Sequence, residues 1–147
     1  MRAASVAALR ISLGLLMIVW GLDKLANPAH GLAVAKRFYF GLFASERLLP
    51  TLGIVQIALG VLVALGLFRR VSYPLLAAVT GLTMIGVWRS IVDPWGWMFE
   101  RTNALFFPSL IIFAGVLVVW AFRDDDRWVI DARFVSRSGR RRATTPA

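Results

Sequence analysis

Long apolar stretches constrain this chain more than any other feature of its sequence. Three of them cover residues 48–68, 71–92 and 104–122. Each is close to the roughly 20 residues that a helix needs to cross the hydrocarbon of a bilayer. Hydrophobic residues make up 59% of the chain and charged residues 17%, whereas soluble domains have roughly 45–50% and about 25%. The sequence therefore predicts a membrane protein.

A fourth apolar stretch, near the N-terminus, is shorter. It covers residues 11–22, so a helix that spans the membrane there must also include Arg10, or Asp23 and Lys24. A cleaved signal peptide is the alternative for this segment, because Arg2 precedes an apolar stretch of suitable length. Asp23 and Lys24 argue against cleavage, since a cleavage region consists of small neutral residues.

Four spans joined by short connections predict the fold class. We expect an all-α integral membrane protein, a four-helix transmembrane bundle with short interfacial segments in the outward loops, because lipid leaves no partner for unpaired backbone. The spans are expected at about 4–25, 48–68, 71–92 and 103–122. They make a transmembrane domain of residues 1–128, followed by a basic, partly disordered cytoplasmic tail at 129–147.

The distribution of Lys and Arg predicts the orientation. Of the 17 such residues, 11 fall on the side that holds both termini and 6 on the other. By the positive-inside rule both termini are cytoplasmic and the two longer loops face outward. The net charge of +9 is then mostly a signal of topology. We expect no binding to nucleic acid, because no folded basic domain is present.

The residues that ligate cofactors are scarce. The chain has no cysteine and a single histidine, His30, which we place in a loop as a solvated residue. Thiolate catalysis, iron–sulfur clusters and cysteine-bound zinc are thereby excluded, and we expect no metal site. No intrinsic cofactor is evident, and the residues assign no catalytic activity.

One face of the first span carries a regular pattern. Arg10, Gly14, Met17, Gly21 and Lys24 follow one another in steps of four, three, four and three, which keeps them on one side of a helix. Small residues allow a neighbouring helix to approach closely. Two interpretations of the terminal cations stay open: they face the interior of the bundle, or they extend to the two headgroup regions.

The second span has a matching face. Gly53, Gln56, Gly60 and Val63 recur at steps of three, four and three. Gln56 is the one strongly polar side chain there, and a lone amide in lipid is costly. We therefore predict a hydrogen bond from Gln56 to the first span, near its glycine face.

Polar groups also gather at the outward ends of the spans, beside two aromatic stretches at 37–43 and 93–99. One interpretation is an aromatic belt at the interface; the other is an aromatic-lidded pocket for a small molecule, and a quinone or another isoprenoid lipid would suit it. The candidate ligand-binding residues are Asp23, Lys24, Arg89, Asp93, Trp95, Trp97 and Asn103.

Specific contacts are expected around this pocket. Arg89 and Asp93 are four residues apart and can pair along a helix. We also expect a crossed charge network, in which Lys24 pairs with Asp93 or Glu100, and Asp23 pairs with Arg89 or Arg101. In the fourth span Asn103 is a candidate N-cap or interior contact, and Pro108 is expected to kink the first turns.

The sequence resembles a known family. "LRISLGLLMIVWGLDKL" (9–25) and "GIVQIALGVLVALGLFRR" (53–70) are similar to the first two helices of the DoxX family of small four-span bacterial membrane proteins. "DDDRWVIDARF" (124–134) is similar to the polar ending of many members, and the resemblance covers roughly 9–135. The third span and the tryptophan-rich loop match nothing diagnostic. The positions that match the family pattern are Arg10, Gly14, Gly21, Lys24, Gln56, Gly60, Gly66 and Arg70.

This resemblance implies a role as well as a location. The members after which the DoxX family is named are small membrane subunits of a thiosulfate:quinone oxidoreductase. We therefore expect a multi-pass protein of the bacterial cytoplasmic (inner) membrane. The first hypothesis is an accessory or anchoring subunit of a redox-linked complex, with membrane lipid and other subunits or a second copy as partners. The second is a quinone-interacting oxidoreductase component. A small-solute carrier ranks lowest, because four spans without an inverted repeat offer little for alternating access.

Overall fold

Helices form the scaffold of this protein in the part of the chain that the structure describes. The computed structural model describes residues 1–38, 45 and 47–131, and their only regular elements are helices, as predicted. A 3₁₀ turn at Ala104–Phe106 precedes the last helix. The six α-helices are α1 (Arg2–Ala26), α2 (Pro28–Phe38), α3 (Leu48–Leu65), α4 (Arg69–Gly86), α5 (Trp88–Val92) and α6 (Pro108–Ala121). Most of the predicted aromatic segment 37–43 lies outside the described residues.

Within the described residues, three helical segments are long and apolar enough to cross a membrane by length and composition: Arg2–Ala26, Leu48–Leu65 and Ala104–Ala121. They correspond to the predicted first, second and fourth spans. The predicted third span, 71–92, is not one continuous helix. Val87, with φ −102° and ψ 15°, separates α4 from α5. Val87 is buried, so this break lies in the interior of the protein.

A close, antiparallel contact between α1 and α3 forms the centre of the fold. A Cβ atom added to Gly14 would lie 2.7 Å from the Gly60 carbonyl oxygen, and one added to Gly21 would lie 2.6 Å from that of Gly53. Both distances are shorter than van der Waals contact, so only glycine lets the two backbones meet. The two predicted faces therefore pack against each other, and we call this contact the glycine seam.

The apolar core lies beside the glycine seam and joins α1, α3, α4 and α6. Met17 and Val63 come from the first pair of helices, whereas Leu76 and Val116 come from the second pair. All four side chains are fully buried. Beside this core, the buried Thr80 hydroxyl donates to the Leu76 carbonyl of its own helix at 2.8 Å.

The start of α6 differs from the expected kinked span. Asn103 caps the 3₁₀ turn, because its Oδ1 accepts the backbone N–H of Leu105 at 2.9 Å, which confirms the cap. Pro108 is the first residue of α6. The predicted kink is therefore wrong: a proline at the first helical position gives up no helical hydrogen bond and does not distort the helix.

The segment after α6, residues 124–131, returns to the bundle, and we call it the closing segment. Its Asp131 accepts the backbone N–H groups of Phe68 and Arg69 at 3.1 Å each, and so caps the start of α4. Val129 packs on Gly66, whose φ of +65° is favoured by glycine. Residues 129–131, predicted as tail, thus pack on the helical domain, and 132–147 lie outside the described residues.

Candidate functional site

A cavity of about 410 Å³ opens at the end of the bundle where α1 ends and α3 begins. Residues of α1, α2, α3, α4 and α6 line it, together with Val87 and the 3₁₀ turn. Its volume falls in the range of small-molecule sites. The apolar part of its wall includes Trp20, Val34, Leu49, Leu52, Leu59 and Leu82.

One polar pair, Lys24 and Gln56, faces into this apolar cavity. The Lys24 ammonium donates to Gln56 Oε1 at 2.8 Å and to the Trp20 carbonyl at 3.2 Å. Gln56 Nε2 in turn donates to Met17 Sδ at 3.6 Å. Gln56 on α3 therefore uses both ends of its amide to bind α1. The predicted hydrogen bond between the two helices is confirmed, and Lys24 is its main donor.

A second polar pair, Asp23 and His30, lies at the mouth of the cavity. His30 Nδ1 is 2.7 Å from Asp23 Oδ2, and the amide of Asn27 approaches Oδ1 at 3.5 Å. The placement of His30 in a loop was wrong, because this residue belongs to the first turn of α2. Pro28 begins that helix, with only Asn27 between it and the end of α1, and α2 contributes part of the cavity wall.

The expected crossed charge network is not formed. Lys24 contacts Gln56 rather than Asp93 or Glu100, and Asp23 contacts His30. The physical reason is that Asp93 is occupied by its own loop, as described next. Backbone donors close in sequence reach a carboxylate at a smaller entropic cost than the side chain of a distant helix.

Asp93 organises the loop that follows α5. Its carboxylate accepts the backbone N–H groups of Trp97 at 3.0 Å, Met98 at 2.6 Å and Phe99 at 2.8 Å. Burial raises the pKa of this carboxyl, but these hydrogen bonds favour the ionised form more strongly and hold the pKa below its ordinary value. The predicted pair with Arg89 is replaced, since the Arg89 guanidinium lies 5.7 Å from the Trp88 ring centroid.

The loop of residues 94–99, which follows α5, is mostly exposed, and we call it the tryptophan loop. Trp95 and Trp97 stack with ring centroids 5.2 Å apart, and they are 70% and 81% exposed. Of the seven candidate ligand-binding residues, only Asp23 and Lys24 belong to the wall of the cavity. The other five lie elsewhere: Arg89, Asp93, Trp95, Trp97 and Asn103. Helix α2 lies beside the cavity, where the tryptophan loop was predicted to lie.

At the opposite end of the bundle, Arg10 is buried in a second polar cluster. Its Nε donates to Asp126 Oδ2 at 2.6 Å, Nη2 to the Trp128 carbonyl at 2.8 Å, and Nη1 to the carbonyls of Val63, at 3.0 Å, and Ala64. Arg10 is 1% exposed. It therefore faces the interior, and the alternative in which it extends to the headgroups is wrong.

This second cluster ties the ends of the fold together. Arg10 in α1 contacts the last turn of α3 and the closing segment, so one side chain joins parts of the chain that are 116 residues apart. An ion pair this deeply buried is costly to break, because one charge is left without a partner. Asp126 was not among the residues predicted from the sequence. Its signal was present in the acidic run 124–126, the only one in the chain.

Metal ligation finds no support in this geometry. Within residues 1–38, 45 and 47–131, no group of three or more His, Asp or Glu side chains lies close enough together to hold a metal ion. What the cavity offers is an ammonium, an amide and an apolar wall. That combination is chemically suited to a small molecule with an apolar body and a hydrogen-bond acceptor at one end.

Comparison with known proteins identifies the family. A family model described as DoxX matches residues 5–93, which is more than half of the chain. The chain belongs to the DoxX family. The matched region extends from α1 through α5 and so contains Lys24, Gln56 and most of the cavity wall, whereas α6 and the closing segment follow it. No curated protein and no solved structure matches the chain.

Proposed function

We propose that this DoxX protein is an accessory membrane subunit of a redox-linked complex, and that its contribution to the complex is to bind a quinone. In this proposal the chain lies in the bacterial inner membrane with both termini in the cytoplasm. It crosses four times, with α4 and α5 together as the third crossing. The bias of 11 to 6 among the Lys and Arg residues supports this orientation.

The observation that carries the proposal is the composition of the cavity wall. A quinone has a flat apolar ring whose carbonyl oxygens accept hydrogen bonds, and it often carries an isoprenoid chain. The wall of the cavity is mostly apolar, and it carries the Lys24 ammonium as a charged donor, which donates to Gln56. An apolar pocket with few, well-placed polar groups is the usual form of such a site.

We propose a complex, rather than a protein that acts alone, because the chain has few groups that bind electron carriers. With no cysteine and one histidine, it has no ligand set for an iron–sulfur cluster or a bis-histidine haem. The proposal therefore assigns the electron carrier to a partner subunit. The quinone would exchange electrons with that partner while this chain holds its head.

Quinone binding is tested directly with the purified protein in lipid nanodiscs. A quinone with a short isoprenoid chain should bind saturably. Leu52→Trp, which places a large ring in the cavity wall, should weaken binding severalfold because it occupies the space of the ligand. Val61→Trp is the matched control on the same helix, since Val61 is exposed and is no part of the wall. Equal binding by both variants would contradict the proposed site.

The role as a subunit is tested separately. Affinity purification in mild detergent, followed by identification of co-purifying proteins and extracted lipids, should recover a redox protein with the chain. Recovery of the chain with lipid alone, under conditions that preserve a known membrane complex, would contradict the subunit role. That result would leave the quinone site to be judged by the binding experiment.

A further inference from the structure

No carboxylate among the described residues contacts the Lys24 ammonium. Both acceptors of the ammonium are neutral: the Gln56 amide oxygen and the Trp20 carbonyl. Among the described residues no carboxylate forms an ion pair with Lys24. The ion pairs of this part of the chain belong to Arg10, His30, Arg69 and Arg123.

The nearest acid in sequence, Asp23, points to a different partner. Neighbouring residues of a helix point about 100° apart, and Asp23 Oδ2 contacts His30 at 2.7 Å. Among the described residues, Asp23, Lys24 and His30 are the ionisable groups of the cavity wall, and the parts that α3, α4 and α6 supply carry no charge. Asp23 is therefore the one acid of the described wall, and its carboxylate contacts His30 rather than the ammonium.

The Lys24 ammonium has one N–H donor that neither Gln56 nor Trp20 accepts. A lysine side chain has three N–H donors, and two of them are used by Gln56 and Trp20. The third is available to a molecule in the cavity. An isolated cation beside hydrocarbon is costly, and the interaction of such a cation with an opposite charge is strong because the surroundings screen it little.

We propose that the cavity selects ligands whose head carries one ionised oxygen, which the Lys24 ammonium binds. This inference rests on the proposed function, since it concerns the same site, and it narrows the ligand class to acidic amphiphiles. Two sources share this chemistry: a hydroxyquinone in its enolate form and a fatty acid in its carboxylate form. A neutral quinone binds through the same donor, but more weakly, because hydrogen bonds to a charged acceptor are stronger.

The experiment compares probes that differ only in the charge of the head. Hydroxynaphthoquinone is ionised at neutral pH and methoxynaphthoquinone is neutral, although the two rings are alike. In zwitterionic nanodiscs the hydroxy compound should bind wild-type protein about tenfold more tightly, a factor that corresponds to one charge-assisted hydrogen bond. Lauric acid and its methyl ester form a second pair, and competition between laurate and hydroxynaphthoquinone reveals whether the site accepts both sources.

Two variants show whether Lys24 recognises the charge. Lys24→Met should bind the hydroxy and methoxy compounds about equally. Lys36→Met, at an exposed position outside the cavity wall, should retain the preference for the hydroxy compound. If wild-type protein binds neither ionised probe more tightly than its neutral counterpart, the inference is wrong and the quinone site stands. If none of the four probes binds, the inference and the proposed function both fail. Preference for the ionised member in either pair supports the inference.

Discussion

The glycine seam makes a sharp prediction about stability, because the same substitution has opposite effects at two positions. A Cβ atom added at Gly14 would lie 2.7 Å from both the Gly60 oxygen and the Ala64 nitrogen. Both are backbone atoms and cannot rotate away. At Gly115 in α6 the nearest atom is Leu9 Cδ1 at 3.4 Å, which is ordinary contact.

The magnitude follows from comparing Gly14→Ala with Gly115→Ala. Alanine is favoured over glycine inside a helix by roughly 0.5–1 kcal/mol, and this gain applies to both variants. Overpacking costs typically 1–3 kcal/mol, and only Gly14→Ala incurs it. The free energies of unfolding of the two variants should therefore differ by about 1–3 kcal/mol. In a chain of this length that is a difference in Tm on the order of 5 °C.

Thermal unfolding in one detergent, followed by circular dichroism, measures this difference. We expect Gly14→Ala to melt below wild type and Gly115→Ala to melt at or above it. Equal melting temperatures for the two variants would refute the close contact between α1 and α3. The position of Lys24 beside Gln56 depends on the same contact, so that result would remove the geometric basis of the cavity as well.

Three further predictions concern other parts of the molecule. Arg10→Met or Asp126→Asn should each lower the free energy of unfolding by roughly 3–5 kcal/mol, and the double variant should lower it by less than the sum. A double-mutant cycle in detergent measures this, and additive losses would argue against the ion pair. Asp93 has a pKa below its ordinary value, so its stabilisation of the tryptophan loop is full above about pH 4 and is lost as the pH falls through the lowered pKa. Tryptophan emission should show this transition in wild type, and a transition of equal size in Asp93→Asn would refute it. A reporter that is active only in the cytoplasm should work after Ala147 and fail near Ala29, and the reverse pattern would overturn the orientation.

The seam could be predicted from sequence because it depends on periodicity alone. Spacings of three and four keep Gly14 and Gly21 on one face of α1, and Gly53 and Gly60 on one face of α3. Gln56, the only strongly polar side chain of the predicted second span, had to find a partner near the same face. Local rules were sufficient for the pairing of these helices.

The partners of the charged residues could not be predicted in this way. Each charge had several opposite charges within the same predicted layer of the membrane, and sequence does not order them by distance. Asp93 binds backbone only a few residues away, whereas Arg10 binds Asp126 across nearly the whole chain. Both outcomes depend on the path of the chain after α5 and after α6, which no periodic pattern records.

The covering of the cavity by α2 was missed for a different reason. Residues 28–38 are too short and too polar for a span, so hydropathy gave them no role. The proline at the first position of this helix was the available signal, because proline is favoured there. It predicts a helix, but not that the helix places His30 next to Asp23.

Photochemical labelling tests most directly whether the cavity beside Lys24 and Gln56 holds a ligand. A quinone that carries an azide on its ring is irradiated with the protein in nanodiscs, and the labelled peptides are identified by mass spectrometry. We expect labels on residues 20–24 of α1 and 49–59 of α3, and excess unlabelled quinone should suppress them. Labels confined to the exposed Trp95 and Trp97, or not suppressed by competitor, would contradict a ligand site in the cavity.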